Sequence, residues 1–266
     1  MRIPTICMQC QAEGGGPNFS SLAFVHIPDE CVLESTCSRG HRTRTVVQQM
    51  KFEMLSDMAI QAIVDGYYRD AIVPFMGSLE RLYEFFIEAT CRKHGIAPNS
   101  FAKAWKEMAA QSERQFGAFV AAFLLEIGEI PTLLSPIITK FRNEVVHKGK
   151  FPGREETISF GQDVLECARP ILDLLKSEGY SEIVWSLVTE KVDHRRNLDS
   201  SAGAPAATCS IGTFFSLTNT EPLTDVEAAV ASYAKHPDMA RSVAEAQAFG
   251  AIVEAIRNAA STVSPK

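Results

Sequence analysis

From Val46 onward the apolar residues stop alternating and begin to recur every three or four positions, and this change of period constrains the fold more than any other feature. Alternation suits a half-buried strand; a 3.6-residue repeat lays one apolar stripe along a helix. Val47, Met50, Met54 and Met58 read as the inner stripe of a first helix ending near Asp65-Gly66. A second spans about 69–94, with Phe75, Leu79, Leu82 and Phe86 inside, Arg81, Glu84, Glu88 and Arg92 outside, and Pro74 near its first turn. A third opens at Pro98-Asn99-Ser100 and buries Phe101, Trp105 and Met108. Ser112-x-x-Gln115 reads as the capping box of a fourth, which carries Phe116, Phe119, Val120, Phe123 and Ile127 and stops at Gly128.

Ser135-Pro136 supplies an N-cap followed by proline at the first helical position, so a fifth helix begins there and closes at Gly149. Its inward face is Leu134, Ile137, Ile138, Phe141 and Val145. A sixth spans about 159–178 with Gly179 as its stop, and a seventh spans 181–197. The small, polar, proline-bearing stretch 198–213 reads as a linker. Beyond it, Thr224-x-x-Glu227 caps one helix and Pro237 precedes another that ends near Ala260. The expected architecture is mainly α. A small β segment over 1–45 precedes a helical bundle over 46–197, the linker over 198–213 and a helical appendage over 214–266.

With 46% apolar residues and a formal charge of −6 over 266 residues, the chain can bury a core, which excludes global disorder. Its longest unbroken apolar run, 118–125, is far short of the ~20 residues that cross a bilayer, so no membrane partner is expected. The start, Met1-Arg2-Ile3-Pro4, lacks a secretory h-region, which points to the cytoplasm. Negative net charge argues against a charge-driven nucleic-acid coat protein but leaves room for local basic sites. Two exist. Arg39, Arg42, Arg44 and Lys51 lie in an acid-free stretch, and Lys140, Arg142, Lys148, Lys150 and Arg154 face only Glu144 over residues 140–154. Each is either a solvated face or a place for a polyanion.

Seven scattered cysteines speak against a disulfide framework. Cys7-Met8-Gln9-Cys10 is a C-x2-C pair, and Cys37-Ser38-Arg39-Gly40-His41 adds a cysteine and a histidine 27 to 31 positions after Cys10. Two such knuckles supply the four soft or borderline ligands of a tetrahedral zinc site. Between them lie strand-like segments at 22–27 and 31–36. Cys31 and His26 are rival ligands, and free thiols in a small β meander are the alternative to a metal site. The layout resembles a zinc ribbon of the Cys/His variety. That resemblance implies a structural zinc ion on Cys7, Cys10, Cys37 and His41.

The most informative stretch is Phe141-Arg142-Asn143-Glu144-Val145-Val146-His147-Lys148-Gly149. Asn143 and His147 are four apart and share a helix face, while Arg142 and His147 differ by roughly 140° around an ideal helix. An imidazole can move a proton at the 2′-hydroxyl of RNA or at its leaving 5′-oxygen. A guanidinium can hold the phosphate and offset its growing charge. The stretch resembles the R-N-x-x-x-H motif of the HEPN superfamily, and the likeness extends over about 46–179.

The resemblance implies a helical bundle that forms homodimers and acts as a metal-independent endoribonuclease in toxin or antiviral-defence systems, with an antitoxin or defence protein as partner. It assigns Arg142, Asn143 and His147 to catalysis, with Glu80 or Glu84 of the second helix reaching the cleft. Arg39, Arg42, Arg44, Lys148 and Lys150 would then bind RNA. The alternative is a non-catalytic module, in which Arg142 pairs with Glu144 or a second-helix acid and His147 serves the helix dipole. No Ser/His/Asp order, phosphate loop or H-E-x-x-H motif offers another chemistry.

Overall fold

The computed structural model describes residues 1–15, 18–198, 206–219 and 225–235. The chain is mainly helical, with a small β region near its N-terminus and a Cys/His cluster there. The described residues divide into two units, each discontinuous in sequence: one within 1–48 and 190–211, the other within 49–189 and 212–235.

In the first unit β1 (Arg2–Thr5) pairs antiparallel with β2 (Ala23–His26), and α1 (Met8–Gly14) lies between them in sequence. A second sheet joins β3 (Val32–Thr36), β4 (Arg42–Val47) and β5 (Ala206–Cys209) in that order. β3 and β4 run antiparallel, with Val32 opposite Val46 and Thr36 opposite Arg42; β5 runs parallel to β4, with Arg44 opposite Ala206 and Val47 opposite Cys209. The central strand β4 is buried at every position after Arg42 instead of alternating, as strands covered on both faces are. Val47 therefore ends this strand instead of starting a helix.

β5 lies inside the stretch read as a linker, and it completes the sheet. Arg44 is also committed here. Its side chain is 6% exposed, and its guanidinium donates to the carbonyls of Arg195, Arg196 and Leu198 at the end of α8 (Glu178–Asn197). Those are carbonyls that a helix C-terminus leaves unpaired. Assigning Arg44 to RNA binding is therefore corrected: the guanidinium is consumed inside the protein.

The second unit is built around α3 (Tyr68–Lys93), which packs against α2 (Lys51–Val64), α4 (Pro98–Met108), α5 (Ser112–Ile127), α6 (Pro136–Lys148) and α7 (Arg154–Lys176). Phe75, Leu79, Leu82 and Phe86 of α3 are fully buried, each stabilising the fold by about 1.5–3 kcal/mol. Tyr83 stacks on Phe119 with ring centroids 3.8 Å apart, and Phe86 meets Phe119 edge-on. Pro74 lies inside α3 beyond its first turn, so the helix accepts one missing backbone bond there. α9 (Val226–Ala234) docks on α2 and α7.

A buried polar seam on α2 holds the returning chain. One Glu53 carboxylate oxygen accepts from the Met50 amide at the head of α2 (2.7 Å), and the other accepts from Leu217 N–H (2.9 Å). Ser56 accepts from Phe215 N–H, and Asp57 accepts from the Tyr233 hydroxyl of α9.

Several boundaries differ from the sequence expectation. α5 is capped by Gln111, with no Ser112–Gln115 box; the Ser112 hydroxyl instead donates to Glu113. Gly153 heads α7 with Glu156 bonding back to its amide, so α7 starts earlier than expected, and Ser177 rather than Gly179 ends it. Asp225 caps α9. Thr224 and the helix expected beyond Pro237 fall outside the described residues. Along α6 burial fades toward the N-terminus: Val145 is 1% exposed, Phe141 is half-buried, and Ile137, expected inside, is 77% exposed.

Candidate functional site

The Cys/His cluster is assembled by two short local structures. Cys7 is the N-cap of α1, and its sulfur accepts from the Cys10 amide, so the C-x2-C spacing presents both thiols from one helical turn. Cys37 and His41 flank the turn between β3 and β4. There the Gly40 amide donates to the Cys37 carbonyl (2.9 Å), and Gly40 adopts φ 82°, which favours glycine. The ligand atoms of Cys7, Cys10, Cys37 and His41 all lie within 4.8 Å of one another. His41 Nδ1 is 3.3 Å from Cys10 Sγ and 3.8 Å from Cys7 Sγ, and the Cys10 and Cys37 sulfurs are 3.7 Å apart.

The rivals stand apart. Cys31 turns its thiol to the Asp29 carbonyl, and His26 receives a hydrogen bond from Arg2. The donor set suits a soft dication. Burial opposes the Cys7 thiolate, but hydrogen bonds from Thr43, the Cys10 amide and His41 outweigh it and bring the thiol to about 6. Burial, together with Cys37 and Cys7, pushes Cys10 up to about 12. Thiols this close cannot all ionise without a cation among them. The four residues can thus hold a metal ion.

A carboxylate missed in the motif reading lies beside them. Glu13, near the end of α1, is 3.8 Å from His41 Nε2 and 2.8 Å from the Arg39 guanidinium, while Arg39 also donates toward Cys10 Sγ. His41 therefore turns Nδ1 to the sulfurs and Nε2 to an acid, the outer-shell arrangement that orients a metal-ligating imidazole. Only the position of Glu13 on a helix that no spacing rule announces could have flagged it. Arg39 is engaged at this cluster. Arg42 is 64% exposed and lies 3.7 Å from Glu34.

The Arg–His stretch lies on α6, whose ends match the sequence reading. Ser135 accepts from the Ile138 amide, Pro136 follows, and Gly149 closes the helix at φ 73°. Arg142 is 3.7 Å from Glu80 of α3 and donates to Asn143 Oδ1 at 2.9 Å. Three of the four residues assigned to catalysis are thus grouped. His147, in the last turn, is exposed, and no hydrogen bond or ion pair engages it among the described residues. Glu84 is occupied by Arg81 at 2.5 Å. Lys148 is exposed; Lys150 donates to Glu156 (2.8 Å) and lies over the Phe141 ring. Neither Arg142 nor His147 is sealed in packing, since Arg142 keeps 29% of its side-chain surface.

No protein-family model, curated protein or solved structure matches the chain. Among the described residues, no helix is long and apolar enough to cross a membrane.

Proposed function

We propose that the protein is an endoribonuclease of the HEPN type, cutting RNA with Arg142 and His147 and needing no metal ion for the cut. The observation that carries this reading is the state of α6: Arg142 is held by Glu80 and Asn143, while His147 stands open to solvent one turn beyond Asn143. In the proposed step a neutral His147 imidazole takes the proton of a ribose 2′-hydroxyl, and the 2′-oxygen bonds to the adjacent phosphorus. The P–O5′ bond breaks, and the leaving oxygen takes a proton from solvent or from the imidazolium. Arg142 neutralises the phosphorane charge, and Glu80 and Asn143 position the guanidinium. The products are a 2′,3′-cyclic phosphate and a 5′-hydroxyl.

We place a structural zinc ion on Cys7, Cys10, Cys37 and His41, where four protein ligands leave no position for substrate. Its role is to staple the small β unit. The resemblance further points to a cytoplasmic homodimer in a toxin or defence setting. Exposed Leu125, Ile130 and Ile137 on and between α5 and α6 support a second copy as occupant. One observation favours a non-catalytic module instead: the Arg142 guanidinium already has a carboxylate beside it in Glu80.

Purified protein incubated with RNA in EDTA separates the readings. Cleavage that survives chelation, leaves cyclic ends and falls by about 10²–10⁴ in His147→Ala is the expected result. RNA that stays intact across varied substrates would refute the nuclease.

A further inference from the structure

We propose that Phe151 is a stacking platform for one base of single-stranded RNA, next to the bond cut at His147. This deepens the nuclease reading and rests on it. Phe151 is 84% exposed, the highest exposure of any phenylalanine among the described residues. Leaving a phenylalanine in water forgoes burial that most of the others obtain. Local looseness does not account for it, because the loop between α6 and α7 is tied at both ends. Upstream, Gly149 closes α6 and the Lys150 amide donates to the Glu144 carbonyl (3.1 Å). Downstream, Pro152 is buried and the Gly153 amide donates to Glu156 (2.9 Å). The Thr157 hydroxyl then donates back to the Gly153 carbonyl (2.9 Å). Both neighbours of Phe151 are held, and the ring projects from a fixed loop.

The surroundings select the occupant. A protein contact would need a contiguous apolar patch, whereas the residues flanking Phe151 are Lys148, Gly149 and Lys150 before it and Gly153 and Arg154 after it. Ile137, the other strongly exposed apolar residue on α6, lies near the far end of that helix, about 16 Å away along its axis. Lys140 and Lys148 are exposed and form no ion pair among the described residues, so two cations stand ready for phosphates. Lys150 pairs with Glu156 and Arg154 with Glu227, so Lys148 is the open cation beside the ring and Lys140 the next along α6. An exposed ring next to an open cation is the combination that binds unpaired nucleotides. Bases stack on the aromatic face, and the backbone follows the positive charge. Phe151 lies four positions after His147, which limits their Cα atoms to at most about 14 Å. A base stacked on the ring therefore lies within a nucleotide or two of the cleaved bond. A duplex cannot use the site, because its bases are already stacked on one another.

The test uses the full chain carrying His147→Ala, so that RNA is bound without being cut. A fluorescent single-stranded oligoribonucleotide of about 12 nucleotides is titrated at several salt concentrations. Adding Phe151→Ala should weaken binding about tenfold to a hundredfold and leave the salt dependence unchanged. Phe151→Trp should retain affinity and show tryptophan quenching on RNA addition. Lys148→Ala should instead lower the salt slope by about one phosphate contact. Equal affinity with and without the ring would overturn the platform while the nuclease stood. If Phe151→Ala left RNA binding intact but dissociated a dimer in sedimentation, the ring would be a protein contact and the proposal would fall. If the unmutated chain neither bound nor cut RNA, the nuclease and the platform would fall together.

Discussion

Asp57→Asn should make the protein more stable at neutral pH, although it removes a hydrogen-bonded charge. Asp57 is 7% exposed on the inner side of α2, and burial pushes its carboxyl up from 3.8 to about 6 although the Tyr233 hydroxyl donates to it. That rise corresponds to about 3 kcal/mol against the folded state once the group is ionised. Between the two values the native chain binds the proton that the unfolded chain has released, so stability falls as pH rises. The contribution is fully present below about pH 4 and lost above about pH 6. Asparagine keeps an acceptor for Tyr233 and removes the charge, while its N–H₂ group offsets part of the gain. The expected gain is about 2 kcal/mol at pH 7.5, shrinking toward zero at pH 4. Urea unfolding of both chains, followed by circular dichroism across this range, reads the difference directly, because carboxylates common to both cancel. A variant no more stable than the parent at pH 7.5 would refute the reasoning.

Glu13→Gln should weaken zinc binding by about tenfold to a hundredfold in chelator competition, while a Co²⁺-substituted protein keeps a tetrahedral spectrum. Loss of that spectrum would show Glu13 to be a ligand instead of an orienting group. Gly161→Ala should lower stability by about 1–3 kcal/mol, because the new Cβ would sit 2.7 Å from Phe75 Cζ and 3.3 Å from Val226 Cγ1. Thermal unfolding at unchanged midpoint would mean that α3 and α7 can part at no cost.

Elements with local chemical punctuation were legible. The Ser135-Pro136 start and Gly149 stop of α6 appear where the sequence puts them, because each end is satisfied by its own residues. The C-x2-C and C-x3-H knuckles likewise indicate which thiols meet. What escaped depends on distant partners. Ala206–Cys209 has the composition of a linker and becomes a strand only because β4 offers an unpaired edge. Arg44 looked like a phosphate ligand until the end of α8 supplied carbonyls from 150 residues away. Ile137 shares a stripe with Phe141 and Val145, yet its turn of α6 has little packed on it. Glu53 meets the Met50 amide locally, but its contact with Leu217, like that of Asp57 with Tyr233, exists only through the docking of the returning chain.

The parallel placement of β5 has a consequence for biosynthesis. The sheet that begins with β3 and β4 waits for its third member until the ribosome has released residues 206–209, after α2 to α8 have emerged. Vectorial synthesis thus makes the oldest part of the polypeptide among the last to be finished. A nascent chain stalled before β5 would carry β4 with one bare edge.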